Sequence, residues 1–194
     1  MCIAIKLREA GFDNVTLFEK ANNFGGTWRE NTYPGVACDV PSHLYSFSFA
    51  PKTDWSRVYS PGAEIQAYCE KVAEEYRLTQ HVHFAHELVQ ATYSQNEWKL
   101  VFANGAEVVA NFLISCIGGL HIPNIPEIKG QQTFGGKAFH SAQWDHSFDF
   151  KGKSVAVVGT AASALQLIPE IVGDVERLDV YQRTPNWVMP RMEG

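Results

Sequence analysis

Cysteine is scarce in this chain and forms no recognisable pattern. Cys2, Cys38, Cys69 and Cys116 give no C-x-x-C pair and no metal-ligand spacing. That argues against a zinc site and against the dithiol centre of a flavin-linked disulfide reductase. Four free thiols suit a reducing cytosol. No apolar run is long enough to span a bilayer as a helix. Residues 1–10 have neither the cationic start nor the cleavage site of a secretory signal. Basic residues are scattered rather than gathered into a stripe, and the net charge is −5. Nucleic acid and anionic membrane surfaces are therefore poor partners. There is no internal repeat and no low-complexity tract. His81, His83 and His86 alternate as on one strand face, a spacing a metal could use but which exposed strand histidines explain more simply.

What the chain does have is core material. Of its 194 residues, 45% are hydrophobic and 12% aromatic, enough for one or two domains. Residues 1–10 read as the end of a helix with Gly11 as its C-cap. A strand follows at 15–19. Residues 20–60 lack a regular period and are rich in Gly, Pro, Tyr and Trp; so long a loop in a compact domain is usually functional. Residues 62–77 are amphipathic, with Ile65, Tyr68, Cys69, Val72 and Tyr76 on the apolar side. Strands are predicted at 81–85, 88–94 and 97–103, and Asn104-Gly105 turns the chain into 106–116. Within that last stretch, Phe112–Ile117 reads as a buried strand, ended by Gly118-Gly119. Pro123 and Pro126 mark a crossover. A buried strand at 154–158, a helix at 161–172 and a strand at 177–182 complete the pattern.

Two segments carry the marks of nucleotide sites. Strand 15–19 ends in Glu19. In a dinucleotide-binding βαβ unit such an acid lies about 20 residues after a Gly-rich turn and binds a ribose hydroxyl. Counting back from Glu19 places that turn at or before residue 1. The first strand and its glycines are therefore expected outside this chain, with Met1 an internal methionine of a longer protein. The second segment, Val158-Gly-Thr-Ala-Ala-Ser-Ala164, closes a strand and opens a helix, whose N–H groups and positive dipole end favour a pyrophosphate. Ala161 stands where the middle glycine of the motif lets backbone approach the ligand. The following strand ends in Arg183-Thr184, where an NAD site would place an acid. Arginine pairs instead with a 2′-phosphate.

Residues 134–145 add a third pattern. Phe134, Gly136, His140, Trp144 and Asp145 fit F-x-G-x-x-x-H-x-x-x-W-[P/D], which resembles the fingerprint of Baeyer–Villiger monooxygenases. Phe24-Gly-Gly-Thr-Trp28 and Tyr33-Pro-Gly-Val-Ala-Cys-Asp39 are similar to the same family's flavin-binding segment, and Gln182-Arg-Thr-Pro-Asn-Trp187 to its NADPH-selecting segment.

The resemblance implies an α/β fold of two dinucleotide-binding (Rossmann-like) domains, both incomplete in this chain, with a β-meander insertion in the first. Residues 1–119 would be the partial FAD-binding domain, 120–150 the linker carrying the fingerprint, and 151–194 the start of the NADPH-binding domain. It implies FAD contacts from Glu19, Gly25, Gly26, Thr27, Trp28, Ala37, Cys38, Asp39 and Tyr45, with Leu88 near the adenine. NADPH would be held by Trp144, Gly159, Thr160, Ala161, Ala162, Ser163, Ala164, Leu165, Arg183 and Thr184. The catalytic residues implied are Asp39, partner of an active-site arginine outside the chain, and His140, which serves domain motion and NADPH handling rather than acting as a direct acid or base. Read from the residues alone, Asp39 could equally be a turn-capping Asx residue. No metal is implied. The activity implied is insertion of one oxygen atom of O₂ into a ketone, giving an ester or lactone through a C4a-peroxyflavin; the isolated chain, without the pyrophosphate turn and the catalytic arginine, is expected to hold FAD weakly and to be inactive alone. A flavin-containing monooxygenase acting on amine nitrogen or sulfide sulfur, and a non-catalytic nucleotide-binding fragment, are the alternatives.

Overall fold

The computed structural model describes residues 1–119 and 122–190. The chain forms two compact units, one built from Met1–Gly25 with Gln66–His121, the other from Gly26–Ile65 with Ile122–Gly194.

In the first unit, helix α1 (Cys2–Glu9) buries Ala4 and Ile5, and carries Lys6 and Arg8 in its last turn, where cations oppose the negative end of the helix dipole. It stops at Gly11, whose φ of +90° suits glycine and whose N–H returns to the Arg8 carbonyl. Arg8 also donates to the carbonyl of Tyr76 at 3.2 Å. Strand β1 (Leu17–Phe18) pairs in parallel with β2 (Val82–His83). Each is much shorter than the apolar pattern predicts. Between the units' shares of the chain runs helix α3 (Gly62–Glu75), after a single-turn helix α2 (Thr27–Glu30). Tyr68, Val72 and Ala73 are buried, as the helical spacing requires.

Strands β3 (Leu88–Ser94), β4 (Glu97–Phe102) and β5 (Glu107–Ala110) form an antiparallel sheet in sequence order. Gln95 and Asn96 link the first two at φ of 53° and 63°, the signature of a two-residue hairpin turn that follows the strand twist. Asn104 then turns the chain again, its Oδ1 accepting from Ala106 N at 3.0 Å. Only Leu100 and Phe102 of this sheet are buried; the Phe102 ring lies 4.6 Å from that of Phe18. The expected buried strand at Phe112–Ile117 does not form. Phe112 is 86% and Ile117 81% exposed, and no described strand pairs with the segment. Apolar composition alone does not make a strand without a ladder partner for its N–H and C=O groups.

The second unit contains β6 (Ser154–Val158), helix α4 (Ala162–Ile171) and β7 (Arg177–Tyr181), a βαβ with the two strands parallel from Ser154↔Arg177 to Val158↔Tyr181. Expected and observed limits agree to within a residue. Helix α4 buries Ala164, Leu167 and Ile171. Leu167 and Ile171 form a core with Tyr33, against which Val36, Trp144, Val155, Val157 and Leu178 pack. Strand β6 alternates exposed and half-buried residues instead of being buried throughout.

Candidate active site

The first unit holds three of the predicted cofactor residues, Glu19, Gly25 and Leu88. Glu19 follows β1, and its backbone N–H bonds His83 O while its carbonyl accepts from His86 N. Its carboxylate accepts from Ala21 N at 2.9 Å, so it is fixed where the chain leaves the strand. Leu88 opens β3 and is 41% exposed. The His83 and His86 rings lie 5.4 Å from each other, and 5.4 and 5.8 Å from that of Phe18; no group of three or more His, Cys, Asp or Glu side chains fit for a metal exists among the described residues.

Gly25 and Gly26 join the units at φ of +123° and +51°. A Cβ at Gly26 would meet nothing within 4 Å, but its backbone conformation is one that side chains rarely adopt. Thr27 starts the single turn α2. The Trp28 indole meets Tyr45 edge-on at 5.6 Å, an arrangement that fixes both rings.

The loop from Tyr33 to Asp39 is seated on α4. Tyr33 is buried and donates its hydroxyl to Gln166 Oε1 at 2.8 Å. Gln166 also binds both edges of one peptide residue: its Nε2 donates to Ala37 O at 2.9 Å, and its Oε1 accepts from Ala37 N at 3.4 Å. Gly35 makes this closeness possible. A Cβ there would lie 2.5 Å from Gln166 O and 2.8 Å from Glu170 Cγ, at a φ of +76°. Burial pushes the Tyr33 phenol up; a hydrogen bond with the Ser163 side chain opposes this, and the Asp39 charge adds to it. Burial likewise raises the Cys38 thiol, against an N–H bond from Val40 at 3.4 Å. Asp39 itself is exposed, and its carboxylate has no hydrogen-bond or ion-pair partner among the described residues. It caps no turn, so the Asx reading has no support.

The fingerprint segment is braced at both ends. Lys137 Nζ pairs with Asp145 at 2.7 Å, and Asp145 accepts from Ser147 N at 3.0 Å and from Ser147 Oγ. The Lys137 ammonium and the Ser147 donors lower its carboxyl to about 2. Gly136 leaves room for the Phe134 ring, whose Cζ would sit 2.6 Å from a Cβ. His140 caps the short turn Ser141–Gln143, its Nδ1 accepting from Ala142 N at 3.1 Å. Trp144 stacks on Phe150 at 5.3 Å and takes Phe139 on its edge. Here His140 and Trp144 shape the segment.

At the nucleotide turn, Gly159 has a φ of +105° and open space where a Cβ would be. Ala161 is the N-cap of α4 and, having no side-chain oxygen, leaves the first N–H groups uncapped. Ala162 and Leu165 are exposed, Ala164 is buried, and Ser163 faces Tyr33. Thr160 is held from the other side, its Oγ1 accepting from Gln182 Nε2 at 2.9 Å and its carbonyl from Asn186. Arg183 and Thr184 follow β7 fully on the surface, and Arg183 has no partner among the described residues.

Sequence reasoning missed Gln166 and Lys137. Gln166 lies three residues after Ser163, hence on the same helix face, which was the available signal. Lys137 falls at a variable position of the fingerprint.

Comparison with known proteins places these features in context. The family described as flavin-binding monooxygenase-like matches residues 4–194. A Baeyer–Villiger monooxygenase of Streptomyces coelicolor is 46% identical over 98% of the chain, and one of Pseudomonas aeruginosa 48% identical over 97%. The chain spans 37% and 36% of their lengths. Among solved structures, a steroid monooxygenase bound to NADP matches with a TM-score of 0.86 at 38% identity, over 96% of this chain and 37% of that one. The OTEMO complex with FAD and NADP matches with a TM-score of 0.86 at 34% identity, over 95% and 37%.

Proposed function

The chain belongs to the flavin-binding monooxygenase-like family, and we propose that it supplies FAD- and NADPH-facing segments of a Baeyer–Villiger monooxygenase. The observation that carries this is the seating of the Tyr33–Asp39 loop on α4. A flavin-type loop and a nucleotide-type helix are thereby packed in one unit.

The residues present fit both cofactors. Around the flavin, Gly25 and Gly26 would let backbone approach a planar ring system, with Trp28 and Tyr45 as a wall. Glu19 would receive the FAD ribose, with Ala37 and Cys38 lining the flavin and Leu88 the adenine. At the second site, the uncapped N–H groups of α4 and the Cβ-free turn at Gly159 suit a pyrophosphate. The exposed guanidinium of Arg183, with Thr184, suits the 2′-phosphate that distinguishes NADPH. When bound, these cofactors supply hydride transfer and the activation of O₂.

The chain's own part is to bind, orient and match charge. Asp39 presents an unpaired carboxylate beside the flavin loop, available to an arginine supplied from elsewhere. His140 and Trp144 hold the fingerprint segment in shape for coenzyme handling. In this reading residues 1–119 belong to the FAD-binding part, 120–150 to the linker and 151–194 to the NADPH-binding part. The substrate is a ketone, converted to an ester or lactone.

The test is product analysis with labelled dioxygen. The FAD-loaded monooxygenase to which this chain contributes is given NADPH and parallel panels of ketones, tertiary amines and sulfides. Esters or lactones carrying one labelled oxygen support the reading. Only N-oxides or sulfoxides would assign the chemistry to heteroatom oxidation, and no labelled product from any panel would overturn oxygen insertion altogether.

A further inference from the structure

The geometry points to Gln166 as a positioning residue that ties the placement of Asp39 to the state of the nucleotide-binding end of α4. This rests on the proposed function, which places the flavin at the Tyr33–Asp39 loop and NADPH at the start of α4.

The carboxamide of Gln166 acts as a substitute peptide. It donates to Ala37 O at 2.9 Å and accepts from Ala37 N at 3.4 Å, as a neighbouring strand would. The same Oε1 accepts from the Tyr33 hydroxyl at 2.8 Å. One side chain thus holds the loop at two points, Tyr33 and Ala37, the second only two residues before Asp39. Ser163, in the first turn of α4, lies near enough to Tyr33 to influence its phenol. No side chain separates the loop from the helix at Gly35, where a Cβ would lie 2.5 Å from the Gln166 carbonyl. Below, the Tyr33 ring packs on Leu167 and Ile171.

A loop held this way cannot move independently of α4. The first turn of α4 carries Ser163 and the free N–H groups that suit a pyrophosphate. A shift of that turn on coenzyme binding would pass through Ser163 and Gln166 to Tyr33 and Ala37, and so to the Asp39 carboxylate. That carboxylate has no partner of its own among the described residues, so the loop alone sets its position. Gln166 touches neither proposed cofactor position directly; it acts through the loop.

The experiment compares wild type with Gln166→Leu, Gln166→Glu and Tyr33→Phe. In the FAD-loaded monooxygenase to which this chain contributes, NADP⁺ titration is followed by the flavin absorbance spectrum, and flavin reduction is measured at saturating NADPH. Hydrogen exchange at the Ala37 amide is read in parallel without cofactors. For Gln166→Leu the expected result is reduction slowed by roughly tenfold or more, since small misplacements are costly. The NADP⁺-induced spectral change should be lost, coenzyme affinity should stay within about threefold, and Ala37 exchange should be faster. Gln166→Glu keeps the acceptor for Tyr33 and Ala37 N and should recover part of the rate. Should Gln166→Leu not yield folded protein, Tyr33→Phe decides on the same split of rate from affinity.

Wild-type reduction and spectral change in the deciding variant would overturn the inference while leaving the proposed function intact. So would a rate loss matched by an equal loss of coenzyme affinity, which would make Gln166 part of the coenzyme site. If wild type itself shows no flavin response to NADP⁺ or NADPH, the proposed function falls and the inference with it.

Discussion

Lys137 and Asp145 close the fingerprint segment with an ion pair of 2.7 Å, between two side chains that are 48% and 24% exposed. The fingerprint names Asp145 but not its partner. The two residues flank His140, so the pair fixes the ends of the stretch that carries it.

This pair gives a pH prediction. The Asp145 carboxyl is lowered to about 2, chiefly by Lys137. A carboxyl depressed in the folded state stabilises above its unfolded pKa, about 3.9, and that contribution is lost as pH falls through the folded value. The melting temperature of wild type should exceed that of Asp145→Asn at neutral pH. The difference should shrink between about pH 4 and pH 2. A difference constant across that window would show that the charge on Asp145 is irrelevant.

Gly35→Ala should destabilise the protein by on the order of 2 kcal/mol, because positive φ and a backbone clash add together. The added Cβ would lie 2.5 Å from Gln166 O. Chemical denaturation of the two proteins side by side measures this. Unchanged stability would mean that the loop is not seated on α4 as described.

The second unit's βαβ was the most legible part of the sequence. The short apolar run Ser154–Val158 and the strand Arg177–Tyr181 flank a segment, 162–171, whose apolar positions recur at helical spacing. The failure at Phe112–Ile117 has a physical cause: an apolar run signals burial, but pairing depends on a second strand that the run does not specify. Glu19, Asp39 and Arg183 could be read as charges placed at turn and strand ends. For Gln166 the one signal was its spacing from Ser163; its partners Tyr33 and Ala37 lie far away in sequence, and a polar residue on a helix ordinarily faces solvent.

Arg183→Ala should weaken NADPH much more than NADH. Loss of a charge-assisted phosphate contact costs about 1.5–3 kcal/mol, or roughly 10- to 150-fold in affinity. NADH lacks the phosphate and should bind the variant as it binds wild type. Equal losses, measured by titration with both coenzymes, would give Arg183 a different role.

Asp39→Ala should retain FAD but waste coenzyme. The carboxylate is exposed and unpaired among the described residues, so its removal breaks no hydrogen bond of the fold. Its proposed partner is an arginine that serves oxygen transfer. Hydrogen peroxide formed per NADPH oxidised should therefore rise while the melting temperature holds. Normal coupling with a lowered melting temperature would make Asp39 a structural residue.

The central proposal is that FAD and NADPH act together in the monooxygenase to which this chain contributes. Anaerobic mixing of that FAD-loaded monooxygenase with NADPH or with NADH, followed by flavin absorbance, tests it most directly. Rapid bleaching by NADPH is expected, with much slower bleaching by NADH at equal concentration, and Arg183→Ala should erase the preference. Flavin that stays oxidised with NADPH, or that is reduced equally by both coenzymes in wild type, would contradict the claim.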